Sequence, residues 1–298
     1  MTTSPKVLVT GASGFIGRRL LAAMPDGWTV LAASRGGRDI AVGSGVRLDL
    51  LDSSSFADLP SRIDTVVHLA ALIDAPSAED YIKTNLTGTQ RMLEYANKAK
   101  ATTFVYGSTG GVYGSASTPF RETDPLRPQD DYATSKAQAE LAVAAFDTEM
   151  VKIVLRYCAP YDLGTPNPIT RVISQVINGD EISVSTGMYP RYNPLHLDDA
   201  VEMTMRSLTL ARGCILNIAG REATTFAGIA LIAGMALGMS PRFRLVDISD
   251  MIPYYRSDTF LEPTLAYDTL GYRPLIDLVH GISDVARKQA ERAKSHVW

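Results

Sequence analysis

Lys6-Val7-Leu8-Val9-Thr10-Gly11-Ala12-Ser13-Gly14-Phe15-Ile16-Gly17 is the stretch that decides the fold. A short apolar run leads into a glycine turn, and helical spacing follows at Phe15, Leu20, Leu21, Ala23 and Met24. Glycines at this spacing mean little alone. Set between a strand and a helix, they form the frame of a dinucleotide fingerprint. Gly11 would permit the tight turn, Gly14 the approach of backbone to a pyrophosphate, and Gly17 close packing of helix on strand. The helix N-terminus would turn its unpaired N–H groups and positive dipole end toward the phosphates. Gly11, Ser13, Gly14, Phe15, Ile16 and Gly17 are therefore the first candidate cofactor residues.

Outward from this unit the periods alternate. Trp28–Ala33, Val46–Leu48, Thr65–Ala70, Phe104–Tyr106 and Val151–Leu155 are short apolar runs, with helical patterns at Tyr81–Ala99 and Tyr132–Phe146. Buried strands alternating with helices predict a doubly wound α/β domain, its parallel sheet covered on both faces. After Arg156 the rhythm breaks at Pro160, Pro166, Pro168, Pro190 and Pro194, mixed with Gly164, Gly179 and Gly187, and the reading is of a loop-rich region. Ile215–Ile218 would return as a strand to the main sheet. Phe226–Leu237 reads as a helix, Arg242–Val246 as a strand and Leu275–Lys294 as a terminal helix. The expected division is a dinucleotide domain over 1–160 with 195–220 returning to it. A substrate lobe over 161–194 and 221–298 would complete the chain, with a cleft between the two.

The 298 residues are 46% apolar and 20% charged, with a formal charge of −3, which suits a globular core and supplies no basic stripe for nucleic acid. Cys158 and Cys214 have no paired spacing, so neither a disulfide scaffold nor a thiolate zinc site is expected, and a cytoplasmic setting is. Only Met1–Pro5 precede the first strand, and no export signal is expected there. Ala223–Pro241 carries no charge, but its apolar core, Phe226–Met239, is too short to span a bilayer. No membrane partner is expected.

The second strand ends Ala33-Ser34-Arg35-Gly36-Gly37-Arg38, with no carboxylate before Asp39. An NAD site usually places an acid there for the ribose 2′-hydroxyl. Arg35 could instead pair a 2′-phosphate, with Ser34 donating a hydrogen bond, so NADP is expected ahead of NAD. Asp49-Leu50 would lie near the adenine. Farther on, Tyr132-Ala133-Thr134-Ser135-Lys136 sets a phenol and an ammonium one helical turn apart. The cation would lower the phenol's pKa toward the working range of an acid–base catalyst.

Thr10–Gly17, His68-Leu69-Ala70-Ala71, Asn85 with Gly88-Thr89, Ser108-Thr109-Gly110-Gly111-Val112-Tyr113-Gly114 and Tyr132–Lys136 stand in this order along the chain. In that order they resemble the extended short-chain dehydrogenases/reductases, the NAD-dependent epimerase/dehydratase family of sugar-nucleotide enzymes. The resemblance implies a Rossmann-type doubly wound sheet with a smaller C-terminal substrate-binding lobe. It implies that Tyr132 is the general acid/base, Lys136 its partner and Thr109 the hydroxyl that holds the substrate oxygen. Leu69, Ala70 and Ala71 would line the cofactor path, with Asn85 near it and Cys158 near the nicotinamide. Gly110, Gly111 and Arg191 would face substrate, and the helices 81–99 and 132–146 would form a homodimer.

Three departures from the family pattern stand out. Gly110-Gly111 follows Thr109 where dehydratases keep an Asp-Glu pair, so elimination is set aside. Ala159-Pro160 stands where an Asn usually contacts the diphosphate. Phe226–Leu237 lacks its usual acid. The leading expectation is an NADP-preferring oxidoreductase acting as a ketoreductase on a (nucleotide-linked) keto-sugar, with a nucleotide-sugar epimerase that retains its nicotinamide as the alternative. A non-catalytic NADP sensor or scaffold is a third reading. His196, Asp198 and Asp199 make too sparse a cluster for a metal, and Asp199–Glu202 reads as a capping box. His68 reads as structural. Arg287, Lys288, Arg292 and Lys294 read as a solvated face that complements a helix dipole.

Overall fold

The chain alternates strand and helix as its apolar periods dictate. β1 (Lys6–Thr10) is followed by α1 (Phe15–Ala23), β2 (Thr29–Ser34), β3 (Ser44–Arg47) and β4 (Thr65–His68). A long helix comes next, built of α2 (Ala78–Tyr81), a π-helical stretch (Ile82–Thr87) and α3 (Gly88–Lys98). β5 (Thr103–Thr109), α4 (Asp131–Ala145), β6 (Val151–Tyr157), α5 (Pro168–Asn178), β7 (Glu181–Ser185) and α6 (Leu197–Ser207) follow. The chain ends with β8 (Cys214–Ile218), α7 (Phe226–Leu237), β9 (Arg242–Val246), α8 (Thr264–Leu270) and α9 (Leu278–Ser295). This computed structural model describes residues 4–37, 43–186, 190–251 and 258–295. Arg38, Asp39 and Gly187, quoted above, lie outside them.

Seven strands form one sheet in the order β3-β2-β1-β4-β5-β6-β8. β1 pairs in parallel with both β2 and β4, so the order reverses there, and the crevice at the carboxyl ends of such a pair is where doubly wound sheets bind ligands. Phe104 and Tyr106 of β5, Met92 and Leu93 of α3 and Val143 of α4 pack in one buried cluster against Leu8 and Val66. β7 and β9 form a separate two-stranded parallel sheet.

The molecule divides into two compact units, 1–112 with 126–157 and 201–216, and 113–125 with 158–200 and 217–298. The boundaries differ from the expected ones: 113–125 joins the second unit, and only 201–216 of the returning segment belongs to the first. Two helices of the second unit were not expected. Pro168 was read as a breaker but occupies the start of α5, where its missing N–H costs nothing, behind a capping box formed by Asn167 and Thr170. α8 was hidden by its shortness. Asp199 starts no helix. It lies inside α6, and its carboxylate accepts from Tyr272 Oη and from the N–H groups of Leu275 and Ile276. α7, which lacks the usual acid, leaves Leu231 and Met235 exposed. Among the described residues no helix is long and apolar enough to cross a membrane.

Candidate active site

The glycine loop is built from steric necessity. Gly11 has φ +67°, and a Cβ there would lie 2.7 Å from the backbone of Leu69 and Ala70 at the end of β4. A Cβ on Gly17 would lie 2.2 Å from the Gly11 carbonyl, so α1 starts directly against the turn rather than against a strand. Gly14 caps α1 without a side-chain oxygen, which leaves first-turn N–H groups for an anion. Ser13 and Gly14 are exposed, with Phe15 and Ile16 half-buried behind them. The cradle fits the diphosphate of a dinucleotide.

Beneath it runs a hydrogen-bond relay. Ala70 N–H donates to Thr10 Oγ1 (3.2 Å), which meets His68 Nδ1 at 2.7 Å, and His68 Nε2 meets Thr89 Oγ1 at 3.1 Å. Thr89 donates onward to the Asn85 carbonyl at 2.6 Å. With both ends fixed, Nε2 carries the proton and Nδ1 accepts. Burial, and then the charge of Lys136, push the His68 pKa down to about 3, so the ring is neutral and structural. Asn85 lies in the π-helical stretch, 1% exposed, and braces the chain rather than offering a donor to the cofactor. Its Oδ1 accepts from Leu72 N–H, and its Nδ2 donates to the Leu72 carbonyl and to Ser135 Oγ. Ser135 in turn donates to the Tyr132 carbonyl, which ties the segment after β4 to the helix that carries Tyr132 and Lys136.

At the end of β2, Ser34 Oγ accepts from Gly37 N–H while its own proton remains to donate, and Arg35 is exposed. Asp49 turns its carboxylate to Leu51 N–H. Leu50 is core: its carbonyl accepts from Arg91, and its Cβ fills the space beside Gly88. Leu69 packs against Gly107, where a Cβ would lie 2.8 Å from it, while Ala70 and Ala71 are half-buried.

The candidate chemistry sits at the end of β5 and the start of α4. Thr109 Oγ1 accepts from Gly111 N–H at 3.2 Å. A Cβ built on Gly111 would lie 3.5 Å from both Thr109 Oγ1 and Ala133 Cβ, so the threonine hydroxyl stands beside the helix turn that holds Tyr132. Asp130 caps that turn by accepting from Ala133 N–H. Tyr81 packs on Tyr132 with centroids 6.1 Å apart. Lys136 is 2% exposed, its Nζ 4.1 Å from the centroid of the Tyr106 ring. An ammonium at that place could donate to a ligand hydroxyl such as a ribose.

The expected tuning of the phenol differs in its balance. Burial, then Asp130 and Tyr81, raise the Tyr132 pKa, and Lys136 does not offset them. Burial instead brings Lys136 down to about 7, with Glu140 pulling the other way. The pattern that could have revealed Glu140 was present: it follows Lys136 by four residues, as Lys136 follows Tyr132.

Three further candidates belong to the second unit. Cys158 is buried, its thiol pushed up to about 12 chiefly by burial, and Sγ lies 3.7 Å from the Thr259 carbonyl, so it behaves as a small core residue. Arg191 is anchored by Asp258 at 3.0 Å and donates to the Ser117 carbonyl. His196 accepts from Asp198 N–H, and among the described residues no cluster of three metal-ligating side chains occurs.

Comparison with known proteins places this geometry. A dTDP-glucose 4,6-dehydratase of Actinoplanes is 29% identical over 97% of this chain and 99% of its own length. A UDP-glucose 4-epimerase of Azospirillum brasilense is 33% identical over 52% of this chain and 49% of its own length. The structure of MoeE5 in complex with UDP-glucuronic acid and NAD superposes with a TM-score of 0.83 at 26% identity, covering 98% of this chain and 100% of that one. These findings correct the expectation of a ketoreductase with dehydration set aside. That inference rested on two missing side chains beside Thr109, whereas proton carriers can come from other positions in a fold of this size. The likeness also supports nicotinamide chemistry on sugar nucleotides without supporting a preference for NADP. The model of the NAD dependent epimerase/dehydratase family matches residues 7–219, and the chain belongs to that family.

Proposed function

We propose that this protein is a nucleotide-sugar epimerase, inverting a secondary hydroxyl of a nucleoside-diphosphate hexose by transient oxidation. The observation that carries the reading is the place of Gly111, whose Cβ would lie 3.5 Å from both Thr109 Oγ1 and Ala133 Cβ, so that the threonine hydroxyl lies near the first turn of the helix that carries Tyr132 and Lys136. Epimerisation needs no more: a proton leaves the sugar oxygen and returns to it. Bound NAD or NADP supplies the acceptor and then the donor of the hydride. Thr109 would hold the sugar oxygen and Tyr132 would take and restore its proton. Lys136, fixed over Tyr106, would bring positive charge toward the phenol once its Nζ bonds the cofactor ribose. Preorganised donors of this kind contribute through position rather than through new bonds.

The test is product analysis by NMR after incubation with UDP-glucuronic acid, UDP-glucose or dTDP-glucose. The reading requires an epimer and no stoichiometric change at 340 nm. A second reading, 4,6-dehydration, is favoured by the dehydratase that matches nearly the whole chain, and the same spectra would show a keto-sugar lacking one water.

The reading includes a preference for NADP, supported by Ser34 and exposed Arg35. Arg35→Ala should lower the thermal shift given by NADP more than that given by NAD. It also includes a cytoplasmic setting and a homodimer through residues 81–99 and 132–146. Leu141, 61% exposed on α4, is apolar surface such a dimer would bury.

A further inference from the structure

α4 carries Tyr132, Lys136 and Glu140 at successive turns of one face, and Lys136 and Glu140 are both nearly inaccessible to solvent. Glu140 is held from two strands at once. Arg156 of β6 donates to it through Nε, at 3.1 Å to Oε1 and 3.0 Å to Oε2, and through Nη2 at 2.6 Å to Oε2. Ser108 of β5 donates to Oε1. Ser108 and Arg156 are register partners in the β5–β6 ladder, and the next pair is Thr109 with Tyr157. The carboxylate thus pins the α4 face to the two strands one residue before the candidate substrate hydroxyl.

A buried ion pair is a poor source of stability, because desolvation offsets the attraction. Its geometry serves position and field instead. We propose that Glu140, clamped by Ser108 and Arg156, is a positioning residue for the reaction: it fixes the register of Lys136 against β5 and favours the charged form of that side chain. The inference rests on the reading of Tyr132 and Lys136 as the proton machinery, and adds the group that governs it.

The groups that face Lys136 are few. Tyr132 and Glu140 share its helix, Tyr106 faces it from β5, and neutral His68 faces it from β4. Arg156 on β6 donates to Glu140 through Nε and Nη2. Glu140 is the one anion among them, and it opposes the burial that draws the lysine down to about 7. Without that anion the burial that lowers the lysine's pKa would act unopposed.

The experiment follows the Lys136 resonance by NMR in the full chain, labelled at lysine with ¹³C and ¹⁵N, from pH 5 to 10, in wild type and Glu140→Gln. The glutamine keeps the shape and most of the hydrogen bonds. Its titration is expected at least one pH unit lower than in wild type, with the melting curve still cooperative. Where Glu140→Gln does not fold, Glu140→Gln with Arg156→Gln removes both charges and is expected to show the same downward displacement. An unchanged Lys136 titration in a folded variant overturns the proposal. No substrate is used, so this outcome is separate from the product analysis, which tests the epimerase reading itself.

Discussion

In the proposed function, Tyr132 is the residue on which the chemistry turns. Replacing it by Phe keeps the ring that packs on Tyr81 and removes only the proton carrier. Turnover is expected to fall by roughly 10²–10⁴-fold, with dinucleotide affinity, read by fluorescence titration, within a factor of about 2 of wild type. Gly17 is the counterpart for cofactor binding. A methyl there would meet the Gly11 carbonyl at 2.2 Å, closer than any relaxed contact, so Gly17→Ala must displace the turn. The variant is expected to lose about 1–3 kcal/mol of stability in urea melts and to bind dinucleotide more weakly. Both residues could be singled out in the sequence, Gly17 by its spacing in the glycine turn and Tyr132 by its place one helical turn before Lys136 together with the family resemblance.

Elements were read as well as their periodicity allowed. β1, the glycine turn and α1 follow from twelve consecutive residues, and Phe226–Leu237 is a helix with the expected bounds, capped by Thr225 and closed by Gly238 at φ +65°. α5 escaped because proline at a helix start and proline in a loop look the same until the capping residue is weighed. Asn167→Ala is expected to cost about 1 kcal/mol by thermal denaturation, since its Oδ1 accepts from Thr170 N–H at the first turn. The relay through Thr10, His68, Thr89 and Asn85 was invisible for another reason. Its members come from β1, β4, the π-helical stretch and α3, and only the fold brings them together. Asn85 was therefore expected beside the cofactor, when its amide is spent on Leu72 and Ser135.

For the molecule as a whole, two buried groups shape stability against pH. His68 titrates at about 3 in the folded chain against 6.5 in the unfolded one, so only the unfolded state gains its proton between those values. Stability should therefore decline as pH falls from 6.5 toward 3, at up to ~1.4 kcal/mol per unit from this group. Lys136 works at the other end: its folded value of about 7 against 10.5 means that only the unfolded state stays protonated in that range. Its contribution to stability rises with pH from 7 to 10.5, and urea melts of Lys136→Met should lack that rise. Function at this scale was legible as a family and not as a reaction, because the two glycines after Thr109 report what is missing beside the site and not what supplies it elsewhere. The most direct measurement is the fate of deuterium placed on the carbon bearing the hydroxyl to be inverted in UDP-glucuronic acid. The account requires an epimer that keeps the label on that carbon, with no turnover in Tyr132→Phe. Label washed into added cofactor with net oxidation of the sugar, or an active Tyr132→Phe, would contradict it.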